Sequence, residues 1–174
     1  MDIKKTANLL LNFAINRLAE IFGFIISSAG ALIFIALLSY SPEDPNFIFP
    51  DNTEIKNILG FRGSFVSDLF LQSFGLMSYL ISFTFIVTGI NIFRTKEFFL
   101  IVENIFFSIG YLIFGTLLLA FFYSNTFTLY INGNGGFVGS YLNTTFLKSI
   151  IQINQIIFYY ILIILTIVLF LISL

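Results

Sequence analysis

Long apolar runs separated by shorter polar stretches set the pattern of this chain. Four runs approach the length of about 20 residues that a helix needs to cross a bilayer core. They cover roughly 21–39, 74–93, 99–122 and 153–174. Inside lipid every backbone N–H and C=O must find a partner within the protein, so such runs are expected as helices. The apolar/polar alternation of a membrane β-barrel is absent. Residues 7–20 predict a further helix leading into the first run. That run, Ile21 to Leu38, ends in Ser39-Tyr40-Ser41-Pro42. No small-residue cleavage signal follows a short apolar core, so the first helix is expected to be retained rather than removed as a signal peptide. The expected fold is all-α: a polytopic integral membrane protein with four transmembrane helices, behind an N-terminal segment over 1–20.

The connections differ in kind. Between the second and third spans lies only Arg94-Thr95-Lys96-Glu97. Segments 40–73 and 123–152 are long, and the second is rich in Asn, Gly, Ser and Thr. Both contain apolar residues at helical spacing. In the first these are Phe65, Val66, Leu69, Phe70 and Phe74; in the second, Phe137, Val138, Tyr141, Leu142, Phe146 and Ile150. Two readings stay open: amphipathic helices lying in the membrane interface, or the first turns of the spans that follow.

The two long segments also resemble each other. Gly60-Phe-Arg-Gly63-Ser64-Phe65-Val66 returns as Gly136-Phe-Val-Gly139-Ser140-Tyr141-Leu142. In the preceding apolar runs, Gly30-Ala-Leu-Ile-Phe34 matches Gly110-Tyr-Leu-Ile-Phe114. Apolar matches arise easily by chance in so biased a chain, but the glycine spacings do not. They predict two tandem helix–loop–helix repeats. Repeats of the same orientation would be related by an axis along the membrane normal, with both long segments on one face.

Composition supports the membrane reading. Hydrophobic residues make up 58% and charged residues 10% of the chain, with a mean hydropathy of +1.00. A soluble domain carries about 25% charged residues. The net charge of −1, with no basic block, argues against direct nucleic-acid binding. With neither Cys nor His, thiol nucleophiles, disulfides, imidazole bases and the usual zinc ligands are all excluded. The 25 Phe and absent Trp read as a coding bias rather than an aromatic surface.

Lys4, Lys5, Arg17, Arg94 and Lys96 crowd the helix ends of one side. Lys56, Arg62 and Lys148 are spread over the two long segments of the other. That asymmetry places both termini in the cytoplasm. Candidate chemistry is sparse. The acidic pair in Ser41-Pro42-Glu43-Asp44-Pro45 reads as part of a rigid, solvated turn rather than a metal or proton site. Glu103, the one carboxylate within an apolar run, is close enough to Glu97 to reach the interface and pair with Arg94 or Lys96. Gly75, Gly89, Gly110 and Gly115 read as close-packing positions. Gly133-Asn-Gly135-Gly136 reads as a flexible turn, and no phosphate-binding loop is present. No catalytic, cofactor or metal residue is expected.

Three segments carry a family resemblance. Ser39-Tyr-Ser41-Pro42-Glu-Asp44-Pro45-Asn-Phe47 resembles the stretch after the first membrane helix of FtsK-type DNA translocases. Ile58-Leu-Gly60-Phe-Arg-Gly63-Ser-Phe-Val-Ser-Asp68-Leu-Phe, running on to Phe74-Gly75-Leu-Met-Ser-Tyr79, is similar to the next motif. Gly135-Gly136-Phe-Val-Gly139-Ser-Tyr-Leu-Asn-Thr-Thr-Phe146 resembles the second outer-loop motif. The likeness covers about 20–174, in order and in register. It implies the N-terminal four-helix membrane domain of a cell-division protein of the bacterial inner membrane. Such a domain anchors the protein at the division septum and contacts other septal membrane proteins. In the family a linker then leads to a hexameric cytoplasmic ATPase that pumps chromosomal DNA, so a ring of copies is expected if that motor is present. The motor's residues have no position here, because the sequence ends at Leu174 within an apolar run. The chain itself is therefore expected to be neither an enzyme nor a DNA binder, and is read as a fragment or a stand-alone module. A small transporter or channel is the alternative of a different class; the repeat favours it, and the few polar residues in the spans oppose it.

Overall fold

The computed structural model describes residues 3–45, 54–124, 132–145 and 154–174. Among them the chain forms helices and no strand. The helices are α1 (Ile3–Leu38), α2 (Gly60–Phe74), α3 (Ser78–Thr95), α4 (Leu100–Phe122), α5 (Gly136–Thr145) and α6 (Gln155–Ile172). A 3₁₀ turn, Gly75–Met77, joins α2 to α3. Four runs are long and apolar enough to cross a membrane: Asn8–Leu38, Gly60–Thr95, Leu100–Phe122 and Gln155–Ile172.

The helix expected over 7–20 and the first span are one uninterrupted helix. At 36 residues and about 1.5 Å per residue, α1 is about 54 Å long. The second span starts later than the pattern suggested. The run from Gly60 to Thr95 is continuous in sequence, but Gly75 breaks its α-helical course with φ +57° and ψ −138°. Helix α2 is therefore a separate short helix, not the first turns of α3.

Two antiparallel pairs build the bundle. Along α1 and α3, Glu20 meets Lys96 through an ion pair of 2.8 Å. A Cβ on Gly23 would lie 2.7 Å from Phe93 N, and one on Gly30 would lie 2.8 Å from Ile86 N. At the far end the Tyr79 hydroxyl donates to Leu37 O at 3.1 Å. Along α4 and α6, Gly110 faces Leu169, Gly115 faces Thr166 and Leu117 packs on Leu162. Helix α3 ends where Lys96 adopts φ +64° and its N–H bonds Ile92 O at 2.9 Å, a left-handed helix stop. Glycine and other small residues at the α1–α3 crossing let the two backbones touch, the usual basis of helix packing in lipid.

Each pair carries a short helix across one end. Leu59, Gly63 and Val66 line a small cleft together with Leu32, Ile33 and Ala36 of α1. Leu71 packs on Leu37, and Ile33 packs against that cluster. Positions from Leu59 to Leu71 thus all lie near the last turns of α1, Leu32 to Leu37, a stretch much shorter than α2 itself. Helix α5 lies likewise on α4, with Gly135 and Gly139 on Thr116 and Ala120. Helices α2 and α5 also touch each other, which puts both on one face. That is the arrangement a same-orientation repeat requires.

Candidate functional site

The features with most chemistry lie at the end where α2 and α5 cross. A helix leaves its last four carbonyls without partners, and in a membrane that cost must be met by the protein. Asn57 does this for α1. Its Nδ2 donates to Ala36 O at 2.9 Å and to Ser39 O at 3.3 Å, while Tyr79 covers Leu37 O. Asp44 in turn holds Asn57 in place. One carboxylate oxygen accepts from Lys56 N and the other from Asn57 N, both at 2.8 Å. Asp44 is 3% exposed. The solvated turn expected here is therefore wrong for Asp44, because two backbone amides draw it inward; Glu43 alone stays in water, paired with Lys56. That pair lowers Glu43 below the usual carboxylate range and raises Lys56, chiefly through their hydrogen bond. Of the rest of the motif, Ser41 O accepts from Asp44 N at 3.2 Å and Pro45 O accepts from Ser64 Oγ at 2.8 Å. Pro42 is exposed.

The second repeat builds a parallel clamp. Asn134 Nδ2 donates to Tyr123 O at 2.5 Å, just beyond the end of α4. In both repeats a tight turn precedes the short helix: Gly60 N bonds Asn57 O at 2.9 Å, and Gly136 N bonds Gly133 O at 3.1 Å. Gly60 and Gly136 then take φ +66° and +63°, a conformation nearly closed to residues with a side chain. Rather than the flexible turn expected, 134–136 is buried.

The two clamps meet at Gly75. Leu76 N donates to Asn134 O at 3.0 Å. A Cβ on Gly75 would overlap Asn134 O and lie 2.5 Å from its carbonyl carbon; one on Gly136 would lie 2.5 Å from Gly75 N. Gly63 and Gly139 are equally hemmed in, by Leu59 and by Thr116. The structure thus brings Asp44, Pro45, Gly60, Gly63, Gly75, Gly135, Gly136 and Gly139 into one cap. Asp68 is buried beside it, accepting from the Tyr40 hydroxyl at 3.3 Å.

A second polar feature runs through the spans. Asn104 Nδ2 donates to Thr88 Oγ1 at 2.7 Å. Thr84 Oγ1 lies 3.1 Å from the Tyr111 hydroxyl and 3.4 Å from Ser173 Oγ. Asn91 Nδ2 donates to Leu174 O at 2.6 Å. These bonds join α3 of the first repeat to α4 and α6 of the second. Sequence reading passed over this seam, though Thr84, Thr88 and Asn91 recur at the spacing of one helix face, as do Asn104, Ser108 and Tyr111. Asn57 was also passed over. Glu103 is exposed in the first turn of α4. Neither partner expected for it makes that contact: Lys96 pairs with Glu20, and among the described residues Arg94 forms no ion pair. Among those residues no three potential metal ligands come together.

Residues 16–174 match the family described as the 4TM region of DNA translocase FtsK/SpoIIIE. The chain belongs to that family. The DNA translocase FtsK of Rhizobium meliloti (strain 1021) is 33% identical over 78 residues, which is 45% of this chain and 9% of that protein. The DNA translocase FtsK of Rickettsia typhi is 35% identical over 68 residues, 39% of this chain and 9% of that protein. The one from Caulobacter vibrioides is 32% identical over 69 residues, 40% of this chain and 8% of that protein. Each match thus spans about a tenth or less of the relative's length. No solved structure matches. Four apolar helices and this family make the chain a multi-pass membrane domain, and its match lies within the membrane region of the FtsK translocases.

Proposed function

We propose that this chain anchors an FtsK-type DNA translocase in the bacterial inner membrane at the division septum. There it self-associates and serves as a scaffold for other septal membrane proteins in cell division and chromosome segregation. Both termini, with residues 1–20, lie on the cytoplasmic side, and the cap of α2 and α5 faces outward. The observation that carries the reading is the joint of Gly75, Asn134 and Gly136. The family's motif glycines serve to lock two helix pairs into one body, as a fixed anchor needs. The crowding of Lys and Arg at the other end supports the orientation.

The first test is to sequence the gene downstream of the Leu174 codon. An in-frame linker and a nucleotide-binding ATPase domain are expected; a stop codon would remove the translocase part of the proposal. The second is to follow a fluorescent fusion lacking residues 124–148, which is expected to lose septal enrichment while remaining in the membrane. Unchanged septal localisation would count against the scaffold role.

A small transporter or channel is the second reading. It is favoured by a cleft of about 310 Å³ between α1, α3 and α4, whose lining includes Phe22, Ile25, Thr88 and Asn104. The hydrogen bond between Thr88 and Asn104 works against it, since it ties those polar groups to each other. Solute flux in proteoliposomes would establish it.

A further inference from the structure

On the surface of the cap, α2 and α5 leave a groove of about 410 Å³ between them. Its walls are Phe65, Leu69 and Phe137, and its polar lining is Asp68, Gln72, Ser73 and Asn132. Asp68 is 6% exposed. Its Oδ1 accepts from the Tyr40 hydroxyl at 3.3 Å and from Gln72 Nε2 at 3.5 Å. Both donors are neutral and both distances are long. Among the described residues no cation pairs with Asp68. A buried carboxylate normally has a charged partner, so the groove calls for a cation.

The other polar groups call for an anion beside it. Asn132 Nδ2 reaches Gln72 O at 3.3 Å and Gln72 Oε1 at 3.4 Å. These are weak bonds, readily exchanged for a charged acceptor. The hydroxyl of Ser73 adds a third donor. A carboxylate and a set of neutral donors within one groove match a zwitterion carrying an ammonium and a phosphate a few ångströms apart.

The walls indicate its source. Leu69 is 54% and Phe137 59% exposed, and Phe137 stacks on Tyr141 with ring centroids 6.1 Å apart. An apolar, aromatic rim at the end of a transmembrane bundle sits where lipid headgroups meet acyl chains. We propose that this groove binds a phospholipid with a primary ammonium headgroup, phosphatidylethanolamine. The ammonium bonds Asp68, the phosphate accepts from Gln72, Asn132 and Ser73, and the acyl chains descend past Leu69 and Phe137. A quaternary headgroup such as choline has no N–H to donate, and a glycerol headgroup has no cation.

The test is native mass spectrometry of the full chain in detergent, with dioleoyl phosphatidylethanolamine, phosphatidylcholine or phosphatidylglycerol added at equal concentration. Phosphatidylethanolamine is expected to be retained about ten-fold or more over the other two. Asp68→Asn is expected to abolish that preference and Asp68→Glu to keep it. Equal retention of all three lipids by the unaltered chain would overturn the proposal without any variant having to fold. So would a preference that survives in a folded Asp68→Asn chain. If the probe peptide acetyl-Leu-Arg-Leu-amide binds the unaltered chain but not Asp68→Asn, and no lipid is preferred, the groove takes a basic protein segment and the lipid reading falls.

Discussion

The backbone amide of Leu76 donates to the carbonyl of Asn134 at 3.0 Å, and through that bond two halves of the chain become one body. Leu76 lies in the 3₁₀ turn that leads into α3, and Asn134 covers the end of α4. Their approach is possible only because Gly75 and Gly136 flank the bond without side chains.

Gly75→Ala should therefore be among the most damaging single changes. Its Cβ would overlap Asn134 O at a φ of +57° that residues with a side chain rarely adopt, and a loss of about 3 kcal/mol or more is expected. Gly60→Ala makes the comparison sharp. Gly60 has φ +66° but nothing within 4 Å, so only the conformational penalty of about 1–2 kcal/mol applies. Thermal melting of fluorescent fusions in detergent should rank Gly75→Ala well below Gly60→Ala. Equal losses would mean that the close approach is not what Gly75 provides.

Asp44→Ala leaves the amides of Lys56 and Asn57 without their acceptor. Each buried unpaired group costs about 1–3 kcal/mol. Glu43→Ala removes only a solvent-exposed ion pair and should leave stability nearly unchanged. Hydrogen exchange should quicken at Lys56 and Asn57 in the first variant and remain unchanged in the second.

Thr88 and Asn104 should be energetically coupled. A double-mutant cycle with Thr88→Val and Asn104→Leu, read from unfolding in mixed micelles, is expected to give a coupling of about 0.6 kcal/mol, and no more than about 1.7 kcal/mol, as for other polar bonds between membrane helices. Strict additivity would mean that each side chain finds an equally good partner elsewhere.

The Glu43–Lys56 pair predicts a pH window. Glu43 is lowered from 4.5, so its contribution is present above that value and fades as pH falls through its folded value. Lys56 is raised from 10.5, so its contribution is complete below that value and fades as pH rises through its folded value. The difference in melting temperature between the unaltered chain and Lys56→Gln should be flat between the two limits and shrink outside both. Because both groups are exposed, the difference is small and should shrink further in high salt.

The spans were legible because lipid demands long apolar helices, and α4 and α6 fall within two residues of the runs read from the chain. The repeat was legible because a glycine forced into φ > 0 or against a backbone leaves a mark that composition does not mimic; Gly60 and Gly136 are that mark. Asp44 and Asn57 were not legible. A buried acid in a proline-rich turn looks like a solvated one until the amides that face it are known, and those amides are 12 and 13 residues away. The polar seam was hidden differently. Each of its Thr, Ser and Asn residues is tolerable alone in a span, and only the packing of α3 against α4 and α6 pairs them.

Helix α1 has a mechanical consequence. One end is gripped by Asn57 and Tyr79, and Glu20 is tied to Lys96 at the end of α3, yet the helix continues unbroken back to Ile3. Asn8 to Leu18, about 16 Å of that rod, is exposed along its whole length. A continuous helix resists twisting and bending, so a torque applied at its N-terminal end is carried to the cap, and a shift of the cap swings that end through an arc.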